Sequence, residues 1–238
     1  MHVTTIQRVI VAIPARNEEA LLGRCLSSVA QAVEALHGVR PGLPVDTVVA
    51  LDGCTDRSGA VAAQAGAHSI VLHDVGVGTT RDAAISHGLS LGGSGPVTAS
   101  EHHIWVACTD ADSVVGSTWL IRHITWAESG MDLVIGSVEP HGPVTPAVLA
   151  AWHSQHRLGE GHPHVHGANL GIRAHTWRAV GGFGAPTVGE DVALVARVKA
   201  QSTRWVATDT TRVATSARLR GRVTGGFADY LSALGEPG

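Results

Sequence analysis

Ile104-Trp105-Val106-Ala107-Cys108-Thr109-Asp110-Ala111-Asp112 is the stretch that decides how the chain is read. Five apolar residues, Ile104–Cys108, have the length and β-branched content of a buried strand. Two carboxylates, Asp110 and Asp112, follow within four residues of its end. They concentrate negative charge at a point where folding gains nothing from it. A hard divalent cation, Mg²⁺ or Mn²⁺, would offset that charge, because such ions take one or two carboxylates together with phosphate oxygens. A D-x-D triplet also arises by chance and as a helix cap; its place after a strand is what favours the metal reading.

The pattern of an apolar strand running into polar residues occurs twice more upstream. Arg8–Ile13 leads into Pro14-Ala15-Arg16-Asn17-Glu18-Glu19, and Thr47–Leu51 into Asp52-Gly53-Cys54-Thr55-Asp56. Between them the spacing predicts helices over Glu18–Leu36 and Ser58–Gln64. A third strand is expected at Ser69–Leu72 and a helix from Thr79 to about Gly88. Gly92–Ser100, rich in Gly, Ser and Pro, reads as a loop. This alternation predicts an α/β fold with a Rossmann-like, mainly parallel sheet sandwiched by helices. Ligands of such sheets gather beyond the carboxyl ends of the strands, where all three polar clusters lie.

The second half is less regular. Strands are expected at Met131–Val138, Arg204–Ala207 and Arg212–Ala214. Helices are expected at Pro146–Leu158, near His175–Val180, from Glu190, and from about Gly226 to Leu234. With no internal repeat, the 238 residues read as one domain, 1–112 binding a nucleotide and 113–238 an acceptor.

Composition narrows the function. A net charge of −3 with no Lys/Arg block lacks the footprint of a nucleic-acid binder. Cys25, Cys54 and Cys108 are dispersed, which argues against a disulfide framework or cysteine zinc site and fits a cytoplasmic setting. No signal-peptide pattern or apolar span of ~20 residues occurs, so neither secretion nor a membrane span is expected.

Each cluster also has a purely structural reading. Pro14–Glu19 makes a serviceable strand-to-helix turn, with its two carboxylates in a first helical turn. Asp52 is placed to accept from a nucleobase N–H, whereas capping suits Asp56 better than ligand contact. In Gly189-Glu190-Asp191 the carboxylates complement a helix N-terminus, or one of them acts as a general base. His162, His164 and His166 would share one face of an extended chain. That face is a possible zinc site, though an acceptor-site or plain surface role is preferred. Arg218, Arg220 and Arg222 suit either a diphosphate-binding loop or a solvated basic face.

Taken in order, IPARNEE, LDGCTD, the Arg of TTRDAAISHG, TDADS, HGANLGIRAHTWRAVGGF and GEDVALVARV resemble the family 2 glycosyltransferases over residues 9 to about 200. The resemblance implies a GT-A fold and transfer of a hexose or N-acetylhexosamine from a nucleoside-diphosphate sugar to an acceptor hydroxyl. It implies that Pro14, Ala15, Asn17, Glu18 and Asp52 hold the nucleoside, and that Arg81 reaches the base or diphosphate. Asp110 would contact ribose or metal, and Asp112 the Mg²⁺ or Mn²⁺. Gly167, Asn169, Arg173 and Glu190 would line the donor-sugar and acceptor region. Asp191 would be the base of an inverting reaction.

A small soluble acceptor is favoured over a lipid one. The late histidine that completes the metal site in many related enzymes is missing, since no His follows His175. Three rival readings are a nucleotidyltransferase, which would carry a Gly-rich basic loop after the first strand, a retaining transferase of the glucosyl- or mannosylglycerate type, and a non-catalytic nucleotide-sugar-binding protein.

Overall fold

The computed structural model describes residues 5–92, 100–142, 145–156, 158–184 and 189–218. Strand β1 (Arg8–Ala15) is RVIVAIPA, with every residue buried. Alternate side chains of a strand face opposite ways. Val9, Val11 and Ile13 accordingly enter one apolar layer, and Ile10 and Ala12 the other. Burial on both faces explains the unbroken apolar run.

Around β1 stand β2 (Val45–Asp52), β3 (His68–Leu72) and β4 (Ile104–Cys108), all parallel, in the order β3-β2-β1-β4. Helix α1 (Leu22–Val39) covers one face through Leu22, Cys25, Leu26 and Val29. After the short α2 (Ser58–Gln64), helix α3 (Val77–Ser90) covers the other face through Ala84 and Ile85. It lies close to the sheet because Gly88 has no side chain: a Cβ there would stand 2.6 Å from Cγ2 of Ile10.

Beyond residue 112 the sheet becomes mixed. It continues through β5 (Ser113–Val115), β6 (Leu133–His141), β7 (Leu170–Arg173) and β8 (Trp205–Ser216), giving one eight-stranded order, β3-β2-β1-β4-β7-β6-β8-β5. β7 runs antiparallel to both β4 and β6, and β8 runs parallel to β6. Helix α4 (Trp119–Glu128) joins the α1 layer, whereas α6 (Ala174–Ala179) and α7 (Glu190–Gln201) join the α3 layer. Helix α5 (Pro146–Gln155) packs Val148 and Trp152 in a small separate cluster with Val138, Ala168 and Ala217.

Several boundaries differ from the sequence reading. Helix α1 begins at Leu22, so Glu18 and Glu19 lie in the turn before it, where the Glu18 carbonyl accepts from the amides of Leu21 and Leu22. The two short late strands belong to one element, β8. Its pairing with β6 breaks between Gly136 and Val138, so that 205–208 and 213–216 pair as separate stretches. Strand β5 and helix α4 had no counterpart in the expectations. The helix expected at 226–234 and most of the 92–100 loop lie outside the described residues.

Candidate active site

The carboxyl ends of β1 and β2 carry two loops that grip each other. Asn17 adopts a left-handed backbone (φ 52°) and turns its side chain toward the second loop. There its Oδ1 accepts from Thr55 N at 2.8 Å and Asp56 N at 3.3 Å. The Glu18 amide donates to Ser58 Oγ at 2.7 Å, and the Glu19 amide to Asp56 Oδ2 at 2.9 Å. Asp56 Oδ1 in turn accepts from Ser58 N, the first residue of α2, from a position one residue before the N-cap, Arg57. Cys54 donates through Sγ to the Ala15 carbonyl. The three cysteines are free thiols.

Asp52, buried at the end of β2, accepts from Val75 N at 3.0 Å and Gly76 N at 3.2 Å, and so shapes the approach to α3. Arg16 reaches toward it at 3.9 Å while pairing with Asp74 at 2.5 Å.

Past β4, Asp110 and Asp112 stand beside Glu18. Burial, then the charge of Asp110, pushes the Asp112 carboxyl up to about 7. Arg218 answers this density of negative charge: its guanidinium lies 2.8 Å from Glu18 Oε1 and 3.0 Å from Asp112 Oδ2. The sequence left this segment open between a basic face and a site loop. Arg218 pairs with these two carboxylates, and Arg220 and Arg222 lie outside the described residues. Among the described residues no group of three or more His, Cys, Asp or Glu side chains is assembled to hold a metal. Asp110 and Asp112 form an oxygen-only pair, which fits a hard cation whose other positions are taken by phosphate.

On the other side of the cleft, Gly189 takes a left-handed conformation (φ 76°) and starts α7. Asp191 accepts from Gly167 N at 2.7 Å through Oδ2 and from Val192 N at 2.8 Å through Oδ1. Glu190 is buried and pairs with Arg81 at 2.8 Å, and Arg81 pairs with Asp110 at 2.8 Å. Beside Arg81, Asp82 holds the turn before α7, accepting from Trp177 Nε1, Phe183 N and Gly184 N. Sequence reasoning missed Asp82. The one signal available was an acid directly after the motif arginine.

The chain matches the Glycosyl transferase family 2 model over residues 10–180. The chain belongs to glycosyl transferase family 2. Its fold is also found in solved glycosyltransferases. One is a mannosyltransferase from Pyrobaculum calidifontis in complex with GDP-Man and Mn²⁺, at 16% identity and TM-score 0.62, covering 91% of this chain and 59% of that one. A second is glucosyl-3-phosphoglycerate synthase from Mycobacterium tuberculosis with Mn²⁺, UDP-glucose and phosphoglyceric acid, at 20% identity and TM-score 0.60, covering 96% and 76%. A third is residues 1–349 of TarS from S. aureus with UDP, at 13% identity and TM-score 0.62, covering 89% and 61%. The chain spans 37% of the longer TarS chain. No curated protein matches it in sequence.

The residues the family resemblance pointed to in the second half of this family 2 protein are placed differently from one another. Gly167 is packed against Arg81 and donates to Asp191. Asn169 is fully buried, its amide donating to the carbonyls of Ser137 and Thr211 and accepting from Trp119 Nε1. It pins β6, β8 and α4 together. Arg173 pairs across β4 with Trp105, whereas Leu170 pairs with Cys108, the end nearest Asp110. It therefore sits at the opposite edge of the sheet, bonded to Asp132 and to the carbonyls of His102, Ala127 and Met131. The His162–His166 segment forms no metal-holding group: the His164 ring centroid lies 6.1 Å from that of His162 and 6.4 Å from that of His166. No helix among the described residues is long and apolar enough to cross a membrane.

Proposed function

We propose that this protein transfers a sugar from a nucleoside-diphosphate donor to an acceptor hydroxyl, with inversion and with Asp191 as the general base. The observation that carries the reading is the arrangement of carboxylates about Arg81, whose guanidinium pairs with Asp110 of the D-x-D triplet at one end and with Glu190, the neighbour of Asp191, at the other. Family membership supports the donor class, and the fold neighbours solved with UDP or GDP-mannose point the same way.

Pro14, Ala15 and Asn17 would form the nucleoside cradle together with Asp52, and Asp110 would meet the ribose. Asp110 and Asp112 would hold Mg²⁺ or Mn²⁺, the ion of two of the neighbours. Such a cation, when bound, neutralises charge on the departing diphosphate. Arg218 adds a positive group beside the same carboxylates. Asp191 takes the proton from the acceptor hydroxyl, whose oxygen attacks the anomeric carbon as the bond to the diphosphate oxygen breaks on the opposite face. Gly167 N–H holds Asp191 Oδ2 on one side, which orients the carboxylate. A small soluble acceptor and a cytoplasmic setting complete the proposal.

One observation favours retention as a second reading: the likeness to the glucosyl-3-phosphoglycerate synthase extends over 96% of this chain. NMR of the product's anomeric proton distinguishes the two. The donor class is tested by a thermal-shift screen of UDP, GDP and dTDP with and without Mn²⁺. One nucleotide should raise the melting temperature, equivalent to ~2.7 kcal/mol at a hundredfold excess over Kd, and more strongly with Mn²⁺. No response to any of them would sink the proposal.

A further inference from the structure

Among the largest fully buried side chains of the described residues, Arg81 is the only charged one. One terminal nitrogen is 2.8 Å from Asp110 Oδ1 and the other 2.8 Å from Glu190 Oε1. Its guanidinium carbon sits 4.9 Å from the centroid of the Phe183 ring. A Cβ on Gly167 would stand 2.7 Å from Nη2, so the backbone of Gly167 lies directly on the guanidinium. Helix α3 comes equally close at Gly78, where a Cβ would be 3.1 Å from Cβ of Glu190.

This arrangement is poorly suited to stabilising the fold alone. Arg81 and Glu190 are a buried ion pair, and Arg81 Nε has no hydrogen-bond partner. A buried pair of this kind is often no more stabilising than apolar side chains of equal volume. What a guanidinium supplies that neither apolar groups nor lysine can is a rigid planar fork, holding two oxygens at a fixed separation. The two oxygens belong to opposite sides of the cleft. Asp110 is on the donor side, with its side chain still 35% exposed. Glu190 precedes Asp191, and Gly167, lying on the fork, donates to Asp191 Oδ2.

We infer that Arg81 is a positioning residue that touches no substrate and sets the spacing between the donor-side carboxylate Asp110 and the acceptor-side base Asp191. The inference rests on the roles proposed above for those two residues. It departs from what the family resemblance implied for Arg81, a direct contact with the base or diphosphate.

Two variants separate these roles. Arg81→Lys keeps the charge but reaches one carboxylate. Glu190→Gln weakens the acceptor-side tie and leaves the Arg81–Asp110 pair in place. For both, UDP affinity with Mn²⁺ is measured by calorimetry, UDP-glucose hydrolysis gives kcat and KM, and hydrogen exchange follows the Gly167 amide. Positioning predicts that both variants hold UDP within about threefold and keep KM, while kcat falls ~100-fold, the scale of a displacement near 1 Å. It also predicts faster exchange at Gly167 in both, a readout that needs no turnover. A tenfold or greater loss of UDP affinity in Arg81→Lys, with Gly167 exchange unchanged, would overturn it in favour of direct contact. Wild-type kcat and exchange in Glu190→Gln would overturn it as well, even if Arg81→Lys failed to fold. If the wild-type protein releases no UDP, the fault lies with the donor proposed, and exchange at Gly167 alone decides the inference.

Discussion

The two halves of the sheet use their polar residues differently. In the parallel half, Asn17, Asp52 and Asp56 bond to neighbouring loops beyond the strand ends, and their hydrogen bonds run from one motif to the next. In the mixed half, Asn169 and Arg173 turn inward and hold strands and loops together. Polar motif residues in the parallel half thus shape the loops beyond the strands, whereas those in the mixed half hold a less regular sheet together.

That contrast is tested first at its strongest point. Asn169→Ala would leave two carbonyls and the Trp119 indole N–H without partners in the interior. The expected loss is about 3–5 kcal/mol, at about 1–3 kcal/mol for each unsatisfied group and with partial relaxation. Urea denaturation checks it, and a loss under about 1 kcal/mol would return Asn169 to the cleft.

Arg173→Met should cost about 1–3 kcal/mol, because Asp132 loses one of its two guanidinium partners but keeps Arg204, and three carbonyls lose their donor. Nucleotide affinity should stay as it is in the wild type. Weaker nucleotide binding by a variant whose fold is intact would break the comparison at its rear edge.

His123, fully buried and edge-on to Trp119 at 4.9 Å, provides a smaller and pH-dependent test. Burial holds its pKa down to about 3. As pH falls below about 6.5 the unfolded chain gains a proton there that the folded one does not, so stability drops. The loss at pH 5 should be about 2 kcal/mol. His123→Phe should make the fall of the melting temperature between pH 7 and 5 shallower without abolishing it, because burial holds His166 down to about 3 as well. An unchanged slope in that variant would place the proton uptake elsewhere.

These differences track what could be read from the sequence. β1 and β4 were legible because a buried parallel strand is a continuous apolar run. The cleft motifs were legible because Asp52, Asp110 and Asp112 follow such strands at once. Helix α4 was not seen, although Trp119, Leu120 and Ile124 form its buried side. The inward bonds of Arg173 and Asn169 were not legible for a physical reason: their neighbours lie 32 to 71 residues away in sequence, and no local pattern tells an inward amide from an outward one. Arg218 met Asp112 from the far end of the described chain, which spacing alone could not foresee.

The central claim is that Asp191 removes the acceptor proton in an inverting transfer. Turnover of Asp191→Asn, with one working donor and acceptor pair, tests it most directly when read together with nucleotide affinity. The amide is nearly isosteric and the position half-buried, so the fold should persist, with at most ~1 kcal/mol lost at the helix N-terminus. A base acting in the transition state predicts a kcat lower by ~10²–10⁴-fold, with donor affinity unchanged and the anomeric configuration inverted in the wild-type product. Near-normal turnover in Asp191→Asn, or a wild-type product that keeps the donor's configuration, would contradict it.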